Sequence, residues 1–363
     1  WNRPTTAMVN FEPRAAPYSH IAMLRLLRDA TRWQGVLGTT GSSPARNYQA
    51  PCIYNALMSS HLSSAFQALF VVFLWATSWV FIKIGLQDIP PLIFAGLRYT
   101  LAFGCLSVVL LVSPGKRTLQ ALPKRTWVRL LLLGVLFYTT TQGASFVALA
   151  YLPAVTVNLL WSFSGITIAL LGIAFLSEQP TPFQWLGIIL TTLGAFIYFY
   201  PVSLPKNQAI GILAAAIGVL ANAGSSILGR EINRSRAVPP LVVTVISMGI
   251  GSIVLLAIGI LVEDFPVISL QGWAIIAWLA LVNTAFAFTL WNHTLRTLTA
   301  MESSIINGTM LIWIPILAIL FLGERITVKE ILGLVAAGAG TLIVQLRHPS
   351  LLSGLLHRGS NNR

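Results

Sequence analysis

The stretch Phe175–Ile188 reads FLSEQPTPFQWLGI and separates two long apolar blocks. At Phe321 the chain reads FLGERITVKEILGL, so Phe, Leu and Glu return in the same order. The offset is 146 residues throughout: Phe175 with Phe321, Glu178 with Glu324, Thr181 with Thr327, Gly187 with Gly333. Working outward, Trp127 matches Trp273, Ala154 matches Ala300 and Gly194 matches Gly340 at the same distance. IPPLIFAGL from Ile89 and VPPLVVTVI from Val238 both open an apolar block with Pro-Pro, at a slightly different offset. The chain is therefore written twice.

Composition says what solvent the two copies meet. Of 363 residues, 56% are hydrophobic and 9% charged, against about 25% charged in a soluble domain. Such a chain cannot cover itself with polar surface, which predicts an all-α integral membrane protein in a lipid bilayer. Ten segments are long and apolar enough to span: 65–86, 91–113, 127–150, 153–176, 182–201, 208–229, 239–262, 272–296, 302–322 and 327–346. They are continuously apolar and do not alternate every second residue, so helices are predicted, not a barrel.

The repeat then predicts two five-helix units, 65–201 and 208–346, followed by a C-terminal tail, 347–363. Five is odd, so the second unit enters the membrane upside down, and ten transmembrane helices form two inverted repeats. That arrangement is a transporter signature, with the ligand site near the midplane between repeats.

The net charge of +13 does not indicate nucleic acid, because the basic residues cluster between apolar runs as the positive-inside rule requires. With the N-terminus inside, the inner segments hold 18 Lys and Arg and the outer ones 3, and without the N-terminal region the ratio is 12 to 3. Lys83 and Arg98 lie within spans and are left out. Both termini are predicted to be cytoplasmic, in a plasma membrane of the bacterial inner-membrane type.

Residues 1–64 are Arg-rich and acid-poor, a basic tail with a disordered composition. They read as a transit-like segment or, with Met58 as a candidate initiator, as an over-extended start. HIAMLRLLRDATRW within them fits a short helix lying on a membrane surface.

No catalytic constellation emerges. All ten acids, Glu12, Asp29, Asp88, Glu178, Glu231, Glu263, Asp264, Glu302, Glu324 and Glu330, lie outside the middle third of any span. No Walker motif is present, and Cys52 and Cys105 make neither a disulfide scaffold nor a metal site. The expectation is no enzyme, no metal and no cofactor.

The spans do carry uncharged polar and aromatic groups at helical spacing. Trp75, Ser78 and Trp79 share a face, as do Tyr138, Gln142 and Ser145, and Asn158, Trp161, Ser162 and Gly165. The second copy offers Asn222 and Ser225, then Asn283, Thr284, Phe288 and Trp291, then Ser304 and Asn307. An amide in hydrocarbon is costly without a partner, so these residues face the bundle interior. They are either interhelical glue or the lining of a cavity for a small molecule of mixed polarity. Pro315, inside a span, is either a gating hinge or a static kink. Gly187, Gly194, Gly333, Ala337 and Gly340 allow close helix packing within the chain or across a homodimer.

Here the residues resemble a family. FLWATSWVFIKIGL (Phe73–Leu86), LRYTLA (Leu97–Ala102), TQGASFVALAYLPA (Thr141–Ala154) and the paired FLSEQ and FLGERIT are similar to EamA-type transporters of the drug/metabolite transporter superfamily. The resemblance covers 65–346 and implies a carrier of small metabolites, often an exporter. It also implies that spans 1, 3, 4, 6, 8 and 9 surround the cavity, with 5 and 10 outside.

The resulting expectation is a secondary transporter for an amino acid, nucleobase or drug-like compound. Its substrate would bind near Trp75, Ser78, Trp79, Tyr138, Gln142, Asn158, Trp161, Asn222, Asn283, Trp291 and Asn307. Glu302 is the fallback proton site, since proton coupling usually uses an intramembrane carboxylate. The alternative is a non-transporting sensor or assembly subunit. Glu178 and Glu324 are read as anchors of their own hairpins. Each stands three residues before a Thr-x-x-Gln/Glu capping box at the start of the next helix.

Overall fold

The computed structural model describes residues 49–113, 115, 122–176, 181–200, 206–234, 238–295, 297–298 and 300–345. Glu178, most of the predicted N-terminal tail and the C-terminal tail lie outside the described residues. By its contacts the chain divides at Met58, and the unit Met58–Arg363 holds all the apolar blocks.

Every regular element described is helical. α1 (Gln49–Gly85) carries the first apolar block, and α2 (Pro91–Val112) the second. The third is α3 (Lys124–Gly134), a π-helical segment (Val135–Thr141) and α4 (Gln142–Tyr151). α5 (Ala154–Leu176) and α6 (Pro182–Phe199) complete the first copy. The second copy holds α7 (Lys206–Arg234) and α8 (Pro240–Val262). Then come α9 (Leu270–Ala280), a second π segment (Leu281–Phe286) and α10 (Ala287–Thr294). α11 (Ala300–Gly308), α12 (Met310–Leu322) and α13 (Val328–Gln345) end it.

Among the described residues, nine helical stretches are long and apolar enough to cross a membrane. α13, the predicted tenth span, is an 18-residue helix outside those nine. The ninth predicted span is broken at Thr309, whose hydroxyl donates to Ile306 O at 2.7 Å. Pro315 lies beyond that break, buried within α12.

The surface shows the membrane character. α6 buries Gly187, Thr191, Gly194, Ala195 and Tyr198. Its other face presents Ile189, Leu193 and Phe196, each more than half exposed. Polar groups such as Thr191, Asn283 and Thr284 are meanwhile fully buried. Apolar outside and polar inside is the pattern of a protein solvated by lipid.

Packing pairs the copies. α2 lies along α8, and α6 along α13. The first helices are exchanged: α7 of the second copy packs on α4, α5 and the first π segment. α1 of the first copy meets α10 through Trp75 with Phe288 and Trp291, and α12 through Phe73 with Trp313. Glycines set the closest approaches. A Cβ on Gly187 would come within 2.7 Å of Gly340 O, and one on Gly333 within 2.7 Å of Gly194 O. The small-residue faces are thus used within the chain, between α6 and α13.

Candidate functional site

The two π segments fall at corresponding positions, 146 residues apart. A π turn widens the backbone by one residue and leaves carbonyls without their i−4 partner. Here hydroxyls fill that role. Thr140 Oγ1 donates to Val135 O at 3.0 Å, Thr141 Oγ1 to Leu136 O at 2.8 Å, and Thr284 Oγ1 to Leu279 O at 2.8 Å. The runs YTTTQ and LVNTAF supply those hydroxyls at the needed offset. Thr139 Oγ1 also donates to Gly251 O at 2.8 Å, tying the first π segment to α8.

Around the first segment lies a buried polar cluster. Tyr99 Oη donates to Gln142 Oε1 at 2.7 Å. The Tyr99 and Tyr138 rings meet edge to face at 5.6 Å. Arg98, 5% exposed, donates through Nε to Thr284 Oγ1 at 3.2 Å. Its guanidinium lies 5.0 Å from the Tyr99 ring centroid and 5.9 Å from that of Phe146. Tyr138 and Thr284 are repeat-equivalent, so both π segments contribute to one cluster.

Beside the second segment, fully buried Asn283 donates through Nδ2 to Leu74 O and to Thr77 Oγ1. Its Oδ1 has no partner among the described residues. Trp75 stacks obliquely on Phe288 and Trp291 at 5.4 and 5.2 Å. On α5, Asn158 Nδ2 and Trp161 Nε1 are buried without a described hydrogen-bond partner. Buried polar groups without a partner are uncommon in folded proteins, and the described residues hold others at Gln67, Thr100, Ser107 and Ser164.

The remaining predicted residues are placed less centrally. Ser78 is buried and makes a long 3.4 Å bond to Leu74 O in its own helix. Trp79 packs half-buried against the core. Asn222 O accepts from Ser225 and Ser226. Asn307 is exposed on α11. Glu302 is 3.2 Å from His61 Nε2, its side chain 40% exposed, near the start of α11.

The end of the bundle that holds Lys83 corrects the reading of Glu324. Its carboxylate does not serve its own hairpin. Oε1 accepts from Ala154 N at 2.6 Å and Oε2 from Val155 N at 3.1 Å, which caps α5 of the other copy. Its own following helix is already capped. Thr327 N donates to Glu330 Oε2 at 2.6 Å, and Glu330 N to Thr327 Oγ1 at 3.3 Å. The equivalent Thr181–Gln184 capping box is formed on α6.

Glu263, at the end of α8, does for α2 what Glu324 does for α5. It accepts from Leu92 N at 3.0 Å and Ile93 N at 2.9 Å. Both helices begin after a proline, Pro90 or Pro153, which has no side-chain acceptor of its own, so the cap is borrowed. Lys83 Nζ completes the junction by donating to Leu149 O and Leu152 O at 2.6 and 2.7 Å. A cation thus sits at the C-terminus of α4 and an anion at the N-terminus of α5, each matching the helix dipole. Lys83, Leu149, Leu152, Pro153, Leu322 and Glu324 line a cavity of about 520 Å³.

Sequence reasoning misses Arg98, Tyr99 and Lys83 as site components. A signal exists for the two cations, because a charge inside a span is a functional hypothesis by default. Leaving both out of the topology count hides it.

Comparison with known proteins agrees with this architecture. The chain is 26% identical over 288 residues to "Uncharacterized transporter YoaV" of Bacillus subtilis (strain 168), covering 72% of this chain and 90% of that one. It is 31% identical over 172 residues to "Probable amino-acid metabolite efflux pump" of Salmonella typhimurium, covering 47% and 46%. It is 24% identical over 226 residues to "Protein PecM" of Dickeya dadantii, covering 62% and 76%. A solved structure described as "Crystal structure of protein" superposes with a TM-score of 0.57 at 18% identity, covering 82% of this chain and 99% of that one, a likeness of fold. Residues 62–200 and 209–346 each match the EamA-like transporter family, and with its helices, repeat and buried polar centre the chain belongs to that family.

Proposed function

We propose that the chain is a secondary carrier that exports a small metabolite by alternating access, with ten helices arranged as two inverted repeats in a bacterial inner membrane. The paired π segments carry this reading. They bring Tyr138 of one copy and Thr284 of the other to one buried cluster around Tyr99 and Arg98, and Asn283 Oδ1 of the second segment has no partner among the described residues. The relative named as an amino-acid metabolite efflux pump supports amino acids or their derivatives as first substrates to test. Nucleobases and drug-like compounds follow.

Two sets of helices would move against each other. One is α3, α4, α5 and α7, and the other is α1, α9, α10, α11 and α12. At the Lys83 end they are joined by the bonds of Lys83 to α4 and of Glu324 to α5. At the other end the described ion pairs, His61–Glu302 and Arg129–Glu231, each stay within one set. The charge bias makes the Lys83 end external and both termini cytoplasmic. This arrangement therefore corresponds to a carrier closed on the outside, which must release Lys83 and Glu324 to open.

Facilitated transport or exchange fits the site better than proton coupling. Glu302 lies in the first turn of α11 beside His61, its side chain 40% exposed. A sensor or assembly subunit would be favoured by Gln142, Asn158 and Asn283 bonding only one another in a sealed core. Instead Gln142 bonds Tyr99, Asn283 bonds α1, and Asn158 Nδ2 is unpaired among the described residues.

Efflux of labelled amino acids and nucleobases from proteoliposomes holding folded protein tests the reading. Saturable flux supports it, and no flux of any panel member overturns it. Thiol labelling of a cysteine added at the C-terminus, from one side of intact cells, tests the orientation.

A further inference from the structure

Arg98 stands seven residues into α2, about 10 Å along the helix at 1.5 Å per residue. It is 5% exposed, and no carboxylate pairs with it among the described residues. A guanidinium has five N–H donors. Among the described residues its one hydrogen bond is from Nε to Thr284 Oγ1, and the two Nη nitrogens make none. The ring of Tyr99 at 5.0 Å and that of Phe146 at 5.9 Å hold the guanidinium in place. Aromatic faces attract the cation but do not cancel its charge.

A buried charge with no counter-ion is strongly unfavourable, more so inside a membrane. Among the described residues, the acids Asp88, Glu231, Glu263, Asp264, Glu302, Glu324 and Glu330 lie near span ends or between spans, and none pairs with Arg98. The side chain is also poised. Nε is fixed to the second π segment, and Tyr99 beneath it is fixed to Gln142 and packed on Tyr138 of the first. A guanidinium held by one edge leaves a planar fork whose geometry matches a carboxylate.

We propose that Arg98 recognises the anionic group of the transported solute, so that this carrier selects small carboxylate-bearing molecules over their neutral counterparts. The proposal rests on the carrier reading and names the substrate class for that site. The solute's carboxylate supplies the counter-ion that the protein lacks, and Thr284 and Tyr99 act as positioning residues for the guanidinium.

The test uses the purified full chain, in detergent for thermal unfolding and in liposomes for flux. The probes are N-acetyl-L-phenylalanine and N-acetyl-L-leucine, each with its neutral amide, and sodium chloride alone. Carboxylates are expected to raise the unfolding temperature and to be carried at least tenfold faster than their amides. Arg98→Gln is expected to abolish that discrimination, Arg98→Lys to weaken it, and Thr284→Val to weaken it with the charge retained. Equal handling of carboxylate and amide overturns the proposal while leaving the carrier reading intact. So does full stabilisation by chloride alone, or a tenfold preference surviving in Arg98→Gln. Absence of all flux from folded protein overturns the carrier reading instead. If Arg98→Gln does not fold, the wild-type comparison and Thr284→Val still decide the matter.

Discussion

Glu324 illustrates how a side chain can be read correctly in kind and wrongly in partner. A carboxylate near a helix start suggests a dipole contact, and the nearest start in sequence is that of α13. That start is occupied by the Thr327–Glu330 box. The start that needs an acceptor is α5, which follows Pro153. Charge-assisted hydrogen bonds of this kind contribute about 1.5–3 kcal/mol. Glu324→Gln should therefore lower stability by about 2 kcal/mol, read as a fall in unfolding temperature in detergent. Because the same bonds join the two sets of helices, Glu324→Gln should also speed thiol labelling of a Leu152→Cys probe, at a position 1% exposed in the parent. Unchanged labelling would mean that the bonds do not hold that end closed. Lys83→Met should act in the same direction, since it removes the cation from the C-terminal carbonyls of α4.

At the scale of elements, the π segments are the informative feature. A π turn is an α-helix with one residue inserted, so removing one residue restores α geometry and leaves the flanking faces in register. Deleting Thr140, whose hydroxyl bonds back to Val135 O, should give a folded, monodisperse protein. It should have lost ligand stabilisation and flux, because Tyr138 and Thr139 are withdrawn from their contacts with Tyr99 and Gly251. Full flux in the deletion variant would show that the widened turn serves packing alone. The break at Thr309 is of another kind. It is a single turn residue closed by its own hydroxyl, six positions before the proline that suggests a kink.

At the scale of the whole molecule, the copies are held together by backbone contact along α6 and α13. A Cβ on Gly194 would lie 2.6 Å from Gly333 O and 2.9 Å from Ala337 Cα, and backbone cannot yield as a side-chain tip can. Overpacking typically costs about 1–3 kcal/mol, so Gly194→Val should lower stability by about 3 kcal/mol and reduce folded yield in the membrane. Gly104→Ala meets nothing within 4 Å and is the control. It should be neutral or slightly stabilising, because alanine favours the helix more than glycine does. Equal behaviour of the two variants would mean that the α6–α13 seam does not hold the copies together.

Much of this molecule is present in one dimension. The solvent, the helical class, the doubling at 146 residues and the capping boxes follow from composition and periodicity, because each depends on residues within one turn or on a sum over many. The polar faces carrying Tyr138, Gln142, Asn158 and Asn283 were legible for the same reason. What no local pattern could decide is which element meets which. Glu324 and Glu263 cap helices about 170 residues away in the chain, and α1 and α7 each pack with the other copy. Arg98 is defined by Tyr99 in its own helix, by Phe146 of α4 and by Thr284 of the second π segment, with no carboxylate paired to it among the described residues. These long-range bonds, like the exchange of first helices between the copies, arise from packing between segments distant in the chain. Long-range packing creates that exchange, and only the tertiary structure decides it.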